Sequence, residues 1–125
     1  MLLPAPLLTG RPPISGYGPG RFRLGGIVHQ GSILILPDGV YPLPVSDASQ
    51  ISLESLRPVL AYQPLPDFLI LGTGAAQLFP GRELRQAFAD AGIGLEAMDT
   101  GAAARTYNVL LAEERIFAAV LIAAS

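Results

Sequence analysis

Between Asp67 and Ala124, three apolar runs alternate with two helix-length segments, and this alternation constrains the chain more than any other feature. Phe68-Leu69-Ile70-Leu71, Gly94-Leu95-Glu96-Ala97-Met98 and residues 116–122 have the length and composition of strands. Strands that alternate with helices must be joined by crossovers, which predicts a parallel α/β core. In the first helix, Leu84, Ala87, Phe88 and Ala91 recur at i, i+3, i+4 and i+7 and share one face. Pro80 suits its first turn, and Gly92 suits its stop. The second helix is predicted from Thr100, as N-cap, to about Glu113, with Val109, Leu110 and Ala112 turned inward.

The turns after the first two strands lie where α/β sheets commonly offer a site. Gly72-Thr73-Gly74-Ala75-Ala76-Gln77 half-matches a dinucleotide fingerprint, but Gln77 stands where the third Gly or Ala belongs. Pro80-Gly81 also delays the helix, so a pyrophosphate would miss the helix N-terminus. The competing reading is that these glycines let the chain turn and approach a neighbour closely. In the second turn Asp99 and Thr100 lead through slim Ala102 to Ala104 to Arg105 and Asn108, three apart on one helical face. Arg105 can grip a carboxylate or phosphate bidentately, or pair with Asp99 as a purely structural contact. The candidate ligand- or partner-binding residues are thus Gly72, Thr73, Gly74, Asp99, Thr100, Arg105 and Asn108, and no catalytic residue is assigned.

Composition excludes several chemistries. All eight basic residues are arginines, dispersed along a chain of net charge −2, which argues against nucleic acid as the main partner. With no Lys, a P-loop and Schiff-base catalysis are ruled out; with no Cys, so are a thiolate nucleophile and a Cys-based zinc site. His29 is the single histidine, and Ser32 in Gln30-Gly31-Ser32-Ile33 is not a nucleophile elbow, so His29 reads as strand polarity. Glu113 and Glu114 are adjacent at a helix end, do not face each other, and read as solvated. No cofactor or metal is expected. A charged fraction of 14% and a mean hydropathy of +0.45 predict an apolar contact surface. The apolar start has prolines and no basic flank, and residues 116–124 fall well short of the roughly 20 needed to span a bilayer. The chain therefore reads as soluble and cytoplasmic, without a transmembrane segment.

At 125 residues, half of them apolar, the chain can form one core without disulfides. Residues 1–20, rich in Pro and Gly, read as an arm with no helix and little sheet, and residues 21–125 as the domain. Gly25-Gly26 and Pro37-Asp38-Gly39 each sit between strand-like runs and predict two hairpins in one antiparallel meander, with Gly39 left-handed. Ser52 is placed as the cap of a short helix over residues 53–56, which Pro58 limits.

The segments Leu71-Gly72-Thr73-Gly74, Phe79-Pro80 and Met98 to Leu110 resemble those of a family of bacterial and archaeal domains whose mitochondrial relative is complex I assembly factor 3. Tyr17-Gly18-Pro19-Gly20-Arg21-Phe22 and Gly31-Ser32-Ile33-Leu34 extend the resemblance over nearly all of the chain after the arm. Tyr41-Pro42-Leu43 departs from it, near where relatives often carry Trp. The resemblance implies a three-layer α/β domain with a central mixed sheet of about five strands, helices on one face, and a helix plus β-hairpin on the other. It also implies a non-enzymatic role in binding other proteins during assembly of a respiratory or other membrane complex, with peripheral membrane association, and leaves a homodimer open. The alternative reading is a small-molecule or anion-binding domain using the Gly72-Thr73-Gly74 loop with Asp99 to Asn108.

Overall fold

A computed structural model describes residues 3–123, so Met1, Leu2 and the Ala124 end of the last apolar run lie outside the described residues. From the N-terminus, β1 (Leu8–Thr9), β2 (Ile14–Gly18), β3 (Arg21–Leu24), β4 (Ile27–Gln30), β5 (Ser32–Leu36) and β6 (Gly39–Leu43) lead to α1 (Arg57–Ala61). The alternating half follows as β7 (Phe68–Gly72), α2 (Arg82–Ala91), β8 (Gly94–Met98), α3 (Thr100–Leu111) and β9 (Phe117–Leu121).

Six strands form one sheet in the order β1-β6-β5-β9-β7-β8. β7 lies between β8 and β9 and runs parallel to both, as two helical crossovers require. In the other half β5 runs antiparallel to β9 and to its hairpin partner β6, so the sheet is mixed, as the family resemblance implied, and not parallel throughout as periodicity alone suggests. The two hairpins do not form one meander. Gly31, at φ 108°, lets the chain leave β4 and enter the main sheet as β5, while β2, β3 and β4 make a separate three-stranded sheet.

Each strand of the main sheet presents alternate residues to two cores. On one face Leu34, Leu36, Leu69, Leu71 and Val120 pack against Leu56 and Val59 near α1 and Leu84 and Phe88 of α2. On the other, Ile33, Ile35, Ile70, Ala119 and Leu121 pack against Ala103, Ala104 and Tyr107 of α3 and Phe22 and Leu24 of the small sheet. The result is three layers, with helices on one face and a helix plus a small sheet on the other.

Several local expectations change. The segment read as an arm contributes β1 at the edge of the main sheet and β2 to the small one. Tertiary partners override its poor propensity: Asn108 of α3 accepts the Ile14 N–H and donates to the Ile14 carbonyl, both at 2.8 Å. Tyr107 donates to the Pro12 carbonyl at 2.8 Å, and the Arg11 guanidinium lies 4.8 Å above the Phe117 ring. Gly39 is not left-handed; it pairs in β6, where a Cβ would lie 2.6 Å from the Leu8 carbonyl oxygen, so glycine admits β1. Ser52 accepts the Ser55 N–H in a turn, and the helix begins only at Arg57 with Pro58 in its first turn, where proline is tolerated. Pro80 lies outside α2 and not in its first turn, since the helix begins at Arg82 with Gly81 as N-cap, and Gly92 ends it at φ 74° as expected. In α3, Val109 and Ala112 are exposed and the inward face is Ala103, Ala104 and Tyr107, because the helix crosses the sheet by its slim first turns.

Candidate functional site

β7, buried between β9 and the edge strand β8, delivers Gly72, Thr73 and Gly74 to its C-terminal end, beside the N-terminus of α3. Gly72 is where α3 crosses. A Cβ there would meet the Ala103 Cβ at 2.9 Å and the Thr100 Cα at 3.1 Å, so close packing selects glycine. Gly74, at φ 98°, has no neighbour that would block a side chain; its backbone turn selects glycine.

The polar groups of this turn are directed at one another. The Gly74 N–H donates to Thr100 Oγ1 at 2.8 Å, and the Thr100 N–H returns a bond to the Gly74 carbonyl at 2.8 Å. Thr100 Oγ1 donates to the Ile122 carbonyl at 2.7 Å. Thr73, also buried, donates to the Ala76 carbonyl at 2.6 Å, lies 3.1 Å from that of Met98, and accepts the Leu78 N–H at 3.0 Å. Asp99 Oδ1 accepts the Ala102 N–H at 2.8 Å, so Asp99, not Thr100, is the N-cap. The N–H groups of Thr73, Gly74, Thr100 and Ala102 are thus engaged within the protein and are not presented to a phosphate. No buried side-chain nitrogen or oxygen among the described residues lacks a hydrogen-bond partner.

Five of the seven candidates, Gly72, Thr73, Gly74, Asp99 and Thr100, meet at this turn. Arg105 and Asn108 face the small sheet instead. Exposed Arg105 donates from Nη1 to the Tyr17 hydroxyl at 2.8 Å and forms no ion pair with Asp99. The one ion pair among the described residues joins Arg57 to Glu54 at 2.7 Å, on the surface. Asn108 is committed to Ile14. A Cβ on Gly101 would lie 3.0 Å from the Tyr17 hydroxyl, so Tyr17 converges on the start of α3. Residue-by-residue reading did not select Tyr17, although it heads one of the family-like segments. His29 lies in β4 opposite Phe22, and Ser32, in β5, accepts the Ala123 N–H at 2.9 Å; neither bonds to the other. Glu113 and Glu114 are exposed.

What pattern reasoning missed is the loop between β7 and α2. Leu78 is 50% exposed and Phe79 79%. They rim a cleft of about 540 Å³ floored by Leu71, Thr73 and Leu84 and closed on its far side by Ile51 and Leu53. A 3₁₀ turn, Ala48–Gln50, borders it and is fixed by a capping box in which Asp47 accepts the Ser49 N–H at 2.8 Å and Gln50 Oε1 accepts the Asp47 N–H at 3.2 Å. Composition predicted an apolar contact surface; this rim carries Phe79, the most exposed of the large apolar side chains among the described residues.

These features define a small three-layer α/β domain on a mixed sheet, with an apolar rim at the C-terminal ends of its parallel strands. Over residues 14–122 it matches the family described as protein of unknown function (DUF498/DUF598), and the chain belongs to that family. It is 40% identical over 117 residues to an uncharacterized protein of Rhodobacter capsulatus, covering 94% of this chain and 89% of that one. Over 109 residues it is 35% identical to NADH dehydrogenase (ubiquinone) 1 alpha subcomplex assembly factor 3 of Danio rerio, covering 87% of this chain. The match spans 63% of that relative's length. The crystal structure of an outer membrane protein from Bartonella henselae superposes with a TM-score of 0.89 at 39% identity, covering 94% of this chain and 99% of that one. The family resemblance drawn from the motifs is therefore established. No helix among the described residues is long and apolar enough to cross a membrane.

Proposed function

We propose that this chain is a non-enzymatic protein-binding module that assists assembly of a membrane-bound respiratory complex, acting from the cytoplasmic side. The similarity to complex I assembly factor 3 over 87% of the chain carries this reading. Two features of the molecule support it. The hydrogen-bonding groups of the Gly72-Thr73-Gly74 turn are engaged internally, and the exposed side chains beside it, Leu78 and Phe79, are apolar. In this reading Gly72, Thr73, Gly74, Asp99 and Thr100 hold the rim in place, and Arg105 with Tyr17 forms a secondary polar contact.

The test is affinity purification of the tagged full-length chain from its host, followed by native electrophoresis. Co-migration with a respiratory subcomplex is expected, together with accumulation of assembly intermediates when the chain is deleted. Phe79→Asp should weaken co-migration while leaving the melting temperature of this exposed site nearly unchanged. A chain that migrates alone, in a host whose complexes assemble normally without it, would refute the proposal.

A further inference from the structure

The two edges of the main sheet are treated differently. At one, β6 is covered by the two-residue β1, which pairs Leu8 with Val40 and Thr9 with Gly39 and leaves little strand to extend. At the other, β8 pairs with β7 through one side only. The Gly94 N–H donates to the Asp67 carbonyl and the Met98 carbonyl accepts the Thr73 N–H, so residues 94, 96 and 98 direct their backbone groups at β7. Strand alternation then turns those of Leu95 and Ala97 outward. The Ala97 carbonyl is met by the exposed Gln77 side-chain amide at 2.9 Å, a partner that can swing away; among the described residues none takes the Leu95 N–H, the Leu95 carbonyl or the Ala97 N–H.

The two faces flanking this edge differ in chemistry. On the α2 face a groove of about 360 Å³ runs beside β8, lined by Phe79, Phe88, Ile93 and Leu95. Arg85 borders it, but its guanidinium is turned to the Pro80 carbonyl at 3.1 Å. On the α3 face Glu96, in register with Ile70, stands exposed at the middle of the strand and forms no ion pair with any of the described residues.

We propose that the open edge of β8 is the partner-docking strand of this molecule, and that it takes an extended segment of another protein as a seventh strand. The segment alternates apolar residues, which enter the groove beside Leu95, with a lysine or arginine opposite Glu96. The free backbone groups of Leu95 and Ala97 require an extended occupant, the groove requires apolar side chains on one face, and Glu96 requires a base on the other. A second copy of this chain fits less well. Antiparallel self-pairing that uses Leu95 and Ala97 of both strands centres on Glu96 and sets two carboxylates directly opposite each other. This inference rests on the protein-binding reading above and names the surface it would use.

The probe is an acetylated, amidated seven-residue peptide of alternating valine and lysine, titrated into the 15N-labelled full chain, with a valine–glutamate peptide as control. Lysine-peptide binding should slow exchange of the Leu95 and Ala97 amides by roughly tenfold or more, while the control leaves them unchanged. Ala97→Pro removes an outward N–H without touching the β7 ladder, and should abolish the effect while the remaining amide spectrum stays that of the folded chain. Glu96→Lys should reverse the preference between the peptides. Equal response to both peptides, perturbation away from β8, or concentration-dependent dimerisation through β8 with no peptide response would overturn the proposal. If the wild-type chain co-purifies with a respiratory subcomplex and Ala97→Pro and Glu96→Lys do so equally, the docking strand is refuted and the assembly role stands. If the wild type does not co-purify, the assembly role fails, and the peptide titration still decides the edge.

Discussion

Thr100 is the residue by which β7, α3 and the chain after β9 are joined, and Thr100→Val tests that directly. Valine has the same shape, so the substitution opens no cavity and isolates the hydroxyl. That hydroxyl accepts the Gly74 N–H at 2.8 Å and donates to the Ile122 carbonyl at 2.7 Å, both in buried surroundings. Its loss leaves one buried donor and one buried acceptor without partners, at about 1–3 kcal/mol each, or about 2–6 kcal/mol together. A domain of this size holds roughly 5–15 kcal/mol, so a large share of its stability is at stake. Thr100→Ser keeps both bonds and removes one methyl, for a loss near 1 kcal/mol. Urea denaturation of the two variants beside wild type provides the measurement, with midpoints compared at equal slope. A Thr100→Val chain within about 0.5 kcal/mol of wild type, or one more stable than Thr100→Ser, would show that this hydroxyl does not join the three elements.

Gly74→Ala should cost about 1–3 kcal/mol through backbone strain alone, since φ is 98° and no atom blocks the side chain. Gly72→Ala should cost a similar amount by overpacking against Ala103, and a double-mutant cycle with Ala103→Gly should show positive coupling at position 72 and none at 74. Arg105→Ala should stay within about 1 kcal/mol of wild type, because Arg105 is exposed and bonds only to the Tyr17 hydroxyl. Asn108→Ala should lose about 1–3 kcal/mol by freeing both backbone groups of Ile14; chemical denaturation giving the reverse order would contradict the assignment of Asn108 as the tie to β2. Burial raises the Tyr107 phenol above its ordinary 10.0, so the fold favours the neutral form; its stabilisation is complete below pH 10 and declines as the pH climbs past that value. Tyr107→Phe should flatten, without abolishing, the alkaline fall in stability, since Tyr41 and Tyr62 are also raised by burial; an unchanged alkaline slope would refute the contribution of Tyr107.

The sequence by itself determined the alternating half of the molecule. Strands β7 and β9 are continuous apolar runs of strand length, β8 is apolar apart from Glu96, and the inward face of α2 repeats at helical spacing, so short-range pattern was enough. Gly92 was likewise legible as a left-handed stop, because that requirement is local. Tertiary structure decided what depends on partners distant in the chain. Residues 8–18 have the composition of an arm, yet they form strands because Val40, Leu24 and Asn108 supply their hydrogen bonds from elsewhere. Gly39 looks like a turn glycine in the sequence, and only the approach of Leu8 shows that it is needed for space; at Gly72 the sequence left turning and close approach open, and the crossing of α3 decides for close approach. The candidate set divided for the same reason: helical spacing puts Arg105 and Asn108 on one face, but whether that face meets the Gly74 turn or the small sheet depends on how α3 crosses β7. That crossing is set by the slim Ala103 packing over Gly72, a contact between residues 31 positions apart that no local periodicity encodes.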